Sequence, residues 1–97
     1  MLGQIQEIGG TGPGVDDNTR ARLLKLQRME ATEADVYRRL AKMQHNPVNQ
    51  SILNGIALEE ERHEAVIAKM TGEQVKADAS KVRRQVILAK LFGFTFS

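Results

Sequence analysis

Glu60 and His63 stand three residues apart in the stretch EEERHE at 59–64, and His63 is one of only two histidines in the chain. Three residues make almost one turn of an α-helix. A carboxylate oxygen and an imidazole nitrogen at that spacing leave the same face and can reach one cation at about 2.0–2.2 Å. The competing reading is a solvated acidic patch, and the direction in which the side chains face separates the two. The chain has no cysteine. Disulfides, cysteine zinc sites, thiol catalysis and cysteine-bound iron–sulfur clusters are therefore excluded, and a metal has to be held by carboxylate and imidazole.

At about 100° per residue, Leu23, Leu26, Glu30, Glu33, Tyr37, Leu40 and Ala41 fall within an arc of roughly 100° on one helix. On a second helix Ile52, Ile56, Glu60, His63, Ile67 and Met70 share an arc of roughly 80°, whereas Glu61 is expected to face water. A carboxylate on an apolar stripe loses several kcal/mol of hydration unless an opposite charge compensates it. Neither stripe contains a lysine or arginine, and Arg22, Lys25, Arg28, Arg38 and Arg39 project mostly to other sides. A metal cation is the sharper solution, with Glu30, Glu60 and His63 as ligands. Glu33, one turn from Glu30 at the stripe's edge, is expected as a further ligand or as part of an entry path. Glu59 reads as a solvated charge, Tyr37 as an amphipathic core residue within reach of a ligand, and Met29, Met43 and Met70 as packing residues. His45, with no carboxylate one turn before it, reads as a surface residue.

The elements that must position these residues are all helical. The first helix is expected from Asp17 or Asn18 as N-cap to about Gln44, a run without Gly or Pro. Asn46 is placed to cap, and Pro47 to open, a second helix that runs to about Met70, where Thr71 and Gly72 stop it. A third segment runs from about Ala79 to Phe92 after a cap at Asp78. Its apolar run from Val86 to Phe96, interrupted by Lys90, is too short to span a bilayer alone. That segment could lie on a membrane surface, pack on the hairpin, or lead into a membrane segment. The chain thus divides into a Gly-rich N-terminal arm (1–16), a helical hairpin (17–72) and a C-terminal amphipathic, membrane-proximal helix (78–97). The arm lacks the Gly-Lys-Ser/Thr ending of a phosphate loop.

With 97 residues the chain forms one small domain, so self-association is expected to supplement a modest core. Fourteen basic and twelve acidic residues leave a charge of only +2, and no basic run is interleaved with aromatics, which argues against a nucleic-acid binder. The first residues lack the features of a secretory signal, and the expected compartment is the interior of a cell.

Glu30 and Tyr37 in the stretch MEATEADVY, followed by Glu60 and His63, resemble the ferritin-like and rubrerythrin-like di-iron carboxylate proteins. In those, one helix gives a Glu and the next gives Glu-x-x-His. The resemblance covers residues 18 to 72. More narrowly, LLKLQRMEATEADVYRRLAK and LAKLFGFTF look like the cytosolic rubrerythrin-like domain that precedes the membrane region in some proteins of the vacuolar iron transporter class. The half-length encapsulated ferritins are similar in the same hairpin. A full-length bundle carries each motif twice and this chain carries each once. The resemblance therefore implies a homodimer, or a higher oligomer built from dimers, that closes a four-helix bundle around two iron ions.

The activity it implies is oxidation of Fe(II) to Fe(III), with electrons passing to dioxygen or peroxide. Glu60 would bridge, Glu30 would bind terminally and His63 would complete each shell. The same resemblance points to the cytoplasm, at the membrane face or inside an encapsulin shell. A peroxide reductase of rubrerythrin type would need an outside electron donor. An iron sensor or delivery domain beside a transporter would bind without turnover. A plain docking module would pair its acids with a partner's arginines. The cluster Lys81, Arg83, Arg84 and Lys90 fits either an anionic membrane face or an ordinary amphipathic helix.

Overall fold

A computed structural model describes residues 16–92, and among them there are three helices and no strand. Helix α1 is Asp17–Lys42, α2 is Pro47–Thr71 and α3 is Ala79–Leu91. Of the arm expected over 1–16, all but Asp16 lies outside the described residues, as do 93–97 of the C-terminal run.

The helix ends follow local chemistry. Asp16, rather than Asp17 or Asn18, caps α1, because its carboxylate accepts the Thr19 N–H at 2.7 Å, the three-residue reach that an N-cap side chain makes best. α1 stops at Lys42, short of Gln44. The N–H groups of Met43 and Gln44 turn back to Leu40 and Ala41, both at 3.1 Å, tightening the last turn. Asn46 Oδ1 accepts from Val48 and Asn49, and Pro47 occupies the first turn of α2, as expected. Gly72 ends α2 with φ 71°, a left-handed conformation that costs glycine least, and its N–H donates to Ala68 at 2.7 Å. Asp78 caps α3 by accepting the Lys81 N–H at 3.1 Å.

α1 and α2 form the expected antiparallel hairpin. α3 packs on another flank of α1 and does not touch α2. It is fastened by the Asp78 N–H, which donates to Thr32 Oγ1 at 3.0 Å, and by Val82, its one buried residue.

The hairpin seam follows the expected stripes only in part: Leu40, Ala41 and Ile67 are buried as expected. On α2 the buried residues are Leu53, Ala57, Ile67 and Thr71, while Ile52 and Ile56 are exposed. On α1 the buried line facing α2 is Gln27, Ala34 and Ala41, at steps of seven, and Leu26 is exposed. Alanines at the crossing let the two backbones approach closely, so Ile52 and Ile56 are displaced to the shoulder while Ile67 stays buried. Each helix carries two adjacent apolar lines, and a two-helix seam covers only one. Leu26, Met29, Ile52, Ile56 and Val66 are exposed as a result. The expectation that Met29 is a packing residue is corrected by its exposure, whereas Met43 packs against the Leu40–Ala41–Leu53 cluster. Among the described residues no helix is long and apolar enough to cross a membrane.

Candidate metal centre

Glu30 on α1 and Glu60 and His63 on α2 converge where the seam meets the exposed shoulder. One ligand atom from each lies within 4.8 Å of the others. His63 Nδ1 is 3.2 Å from Glu60 Oε1 and 3.7 Å from Glu30 Oε1. The two carboxylates are 15% and 16% exposed while the imidazole is 59% exposed, so its ring edge is open although its Nδ1 faces the acids. The expected facing is therefore met in part: Glu60 and His63 do share a face with Ile52 and Ile56, but in one chain that face is uncovered.

Glu33 joins them. Its carboxyl is pushed up to about 7, first by a hydrogen bond with Glu60, then by burial, then by the Glu60 charge, while Lys81 opposes the shift. Two carboxylates in contact cannot both ionise cheaply, so Glu33 keeps its proton up to about pH 7. Two i,i+3 pairs, Glu30/Glu33 and Glu60/His63, are thus brought to one level by the antiparallel crossing. Glu30 Oε1 is the diagnostic atom, being fully buried and without a hydrogen-bond partner. A buried carboxylate oxygen left unpaired costs more than the net worth of the bond it lacks. A cation at this point would relieve both that oxygen and the Glu33–Glu60 repulsion.

The donor set fits such an ion. Carboxylates and imidazole suit divalent first-row metals, and ligands at about 2.0–2.2 Å from one centre lie up to about 4.4 Å apart. The present spread needs only small side-chain rotations to close. Glu64 and Gln27 sit beside the site. Gln27, fully buried, donates to Glu64 at 2.9 Å and to the Glu73 carbonyl at 2.7 Å, and accepts from Thr71 Oγ1 at 2.7 Å. Arg20 completes this knot by donating to the Thr71 carbonyl at 2.6 Å and to the Glu73 carboxylate. Sequence reasoning missed Gln27. Its position one heptad before Ala34 was the available signal.

Lys81 was also missed as a neighbour of the site, because only the return of α3 onto α1 brings its charge to Glu33. Glu59 pairs with Arg62 at 2.9 Å in the open, the solvated role expected of it. Glu61 is half exposed and pairs with Arg38 at 2.9 Å, which holds its carboxyl below the usual range. Tyr37 packs against the Leu40–Ala41–Leu53 cluster, and His45 is exposed in the turn. Compared with protein-family models, curated proteins and solved structures, the chain has no match in any of the three.

Proposed function

We propose that two copies of this hairpin meet over the exposed shoulder and hold two ferrous ions between them as substrate, and that the pair is a ferroxidase of the ferritin-like kind. The observation that carries the reading is the buried Glu30 Oε1, without a hydrogen-bond partner and within reach of Glu60 and His63. The exposed Leu26, Met29, Ile52, Ile56 and Val66 beside the acids support the pairing, since a second copy would cover them. The dimer would bring together Glu30 and Glu60 from each chain, four negative charges against two doubly charged ions.

Bound ferrous iron supplies the electrons: two Fe(II) give one each, and dioxygen with two protons leaves as hydrogen peroxide. The chain's residues supply the rest. Glu30 and Glu60 hold the ions and favour the higher charge of the oxidised product. His63 binds through a neutral imidazole nitrogen. Glu33 gives up its proton as cations arrive, so metal uptake releases protons and strengthens as pH rises. The exposed edge of His63 favours one further reading, a sensor or delivery domain that exchanges iron without oxidising it.

Anaerobic titration of the purified chain with Fe(II) tests this. Saturation at about one ion per chain, with a dimer by light scattering and a ferric absorbance on admitting oxygen, is the expected result. Binding without oxidation selects the sensor. No binding, with the assembly unchanged in Glu60→Ala and His63→Ala, leaves a docking module.

A further inference from the structure

The flank of α3 turned away from α1 carries a second surface that the metal site does not use. Val82, Val86 and Ala89 face α1, the first buried and the others half-buried. At about 100° per residue the opposite flank holds Arg84, Ile87, Leu88 and Leu91. All four are exposed, Leu91 by 73% and the following Phe92 by 80%. α3 touches only α1; Leu88 and Phe92, at the near edge of this flank, border the α1–α3 cleft together with Met29 and Glu33, whereas Arg84 and Leu91 lie outside it. Nothing among the described residues covers Arg84, Ile87 and Leu91.

The charges say what would. Ala79–Leu91 contains Lys81, Arg83, Arg84 and Lys90 and no acidic residue. The acids of neighbouring elements are accounted for: Asp78 caps α3, Asp35 is paired with Arg39, and Glu33 is directed to Glu60 beside Lys81. Arg83 and Lys90 border the flank on one side, Arg84 stands at its N-terminal end, and the apolar residues gather at its C-terminal end. An apolar tip one to two turns from a group of unpaired cations suits a surface that is oily below and anionic above. A flat protein partner would have to match the tip with a pocket and the cations with acids. A lipid surface does both without specific shape.

We propose that α3 docks the protein peripherally on an anionic lipid surface, with Ile87, Leu88, Leu91 and Phe92 entering the interface obliquely and Arg83, Arg84 and Lys90 meeting the headgroups. Co-sedimentation of the 97-residue chain with vesicles tests it. Vesicles of phosphatidylcholine mixed with an equal part of phosphatidylglycerol should carry the protein down, pure phosphatidylcholine should not, and added salt should weaken the binding. Leu91→Glu should reduce binding at least about tenfold, and Arg84→Gln about fivefold. Leu91 and Arg84 are exposed, so both variants should keep their circular dichroism and metal stoichiometry. Three results would overturn the proposal: no binding of the unaltered chain to mixed vesicles, equal binding by Leu91→Glu and Ile87→Glu, or a fall in oligomer mass in Leu91→Glu, which would make the flank a contact between copies.

Discussion

Two polar clusters lie side by side in the α1–α2 hairpin, and they differ in completeness. In the Gln27 knot the buried amide donates to Glu64 and to the Glu73 carbonyl and accepts from Thr71. One turn along, Glu30, Glu33, Glu60 and His63 leave a buried oxygen without a partner and press two carboxylates together. Two neighbouring clusters in one hairpin therefore serve opposite ends. A polar group that closes its own hydrogen bonds stabilises the fold, whereas one that cannot is stabilised by whatever binds there.

Metal should produce the largest effect. A divalent ion at a hundredfold excess over its Kd should stabilise the folded state by about 2.7 kcal/mol, raising the melting temperature by roughly 10 °C or more in a domain of this size. Thermal melts with and without Fe(II) under nitrogen, or with Zn(II), would show it, and Glu60→Ala should abolish the shift. The Gln27 knot should behave in the reverse way. Gln27→Ala should cost about 2–3 kcal/mol in urea unfolding whether or not metal is present, because it strands Glu64, Thr71 and a carbonyl. Loss of the metal-induced shift in Gln27→Ala, with stability unchanged, would erase the distinction between the clusters.

A smaller effect concerns pH. The Glu33 carboxyl is raised from 4.5 to about 7 in the folded chain. The folded state thus holds a proton that the unfolded state has already lost between those values. Metal-free stability should decline as pH rises across that window and level off above it, by on the order of 1 kcal/mol once solvent screening is allowed for. Denaturant midpoints from pH 4 to 8 would show the slope, and Glu33→Gln should flatten it. The smallest effect belongs to the exposed Arg38–Glu61 pair. Arg38→Ala should leave the denaturant midpoint almost unchanged in urea unfolding and metal affinity unaltered in titration.

Much of this architecture could be read along the chain. Asn46 with Pro47, Gly72 and Asp78 mark helix ends because capping and left-handed backbone depend on residues within a turn of each other. Asp16 was missed by a residue because Asp16, Asp17 and Asn18 are all capable caps, and only the Thr19 contact separates them. The seam was harder. Ile52 and Leu53 are both apolar and differ by about 100° on the helix, so periodicity cannot say which line meets α1. Gln27 was passed over for a related reason, since its three partners lie on α2 and beyond it.

Helix identity, the turn spacing of Glu60 and His63, and the lack of cysteine belong to the sequence alone, because each depends on residue type and on neighbours a few positions away. Tertiary structure decided that Ala34, Ala41 and Ala57 rather than Ile52 and Ile56 lie in the seam, that Glu33 reaches Glu60, that Lys81 stands near Glu33, and that Glu30 Oε1 is sealed off without a hydrogen-bond partner. Those outcomes rest on how close two backbones can come. That distance is set by packing between segments far apart in the chain.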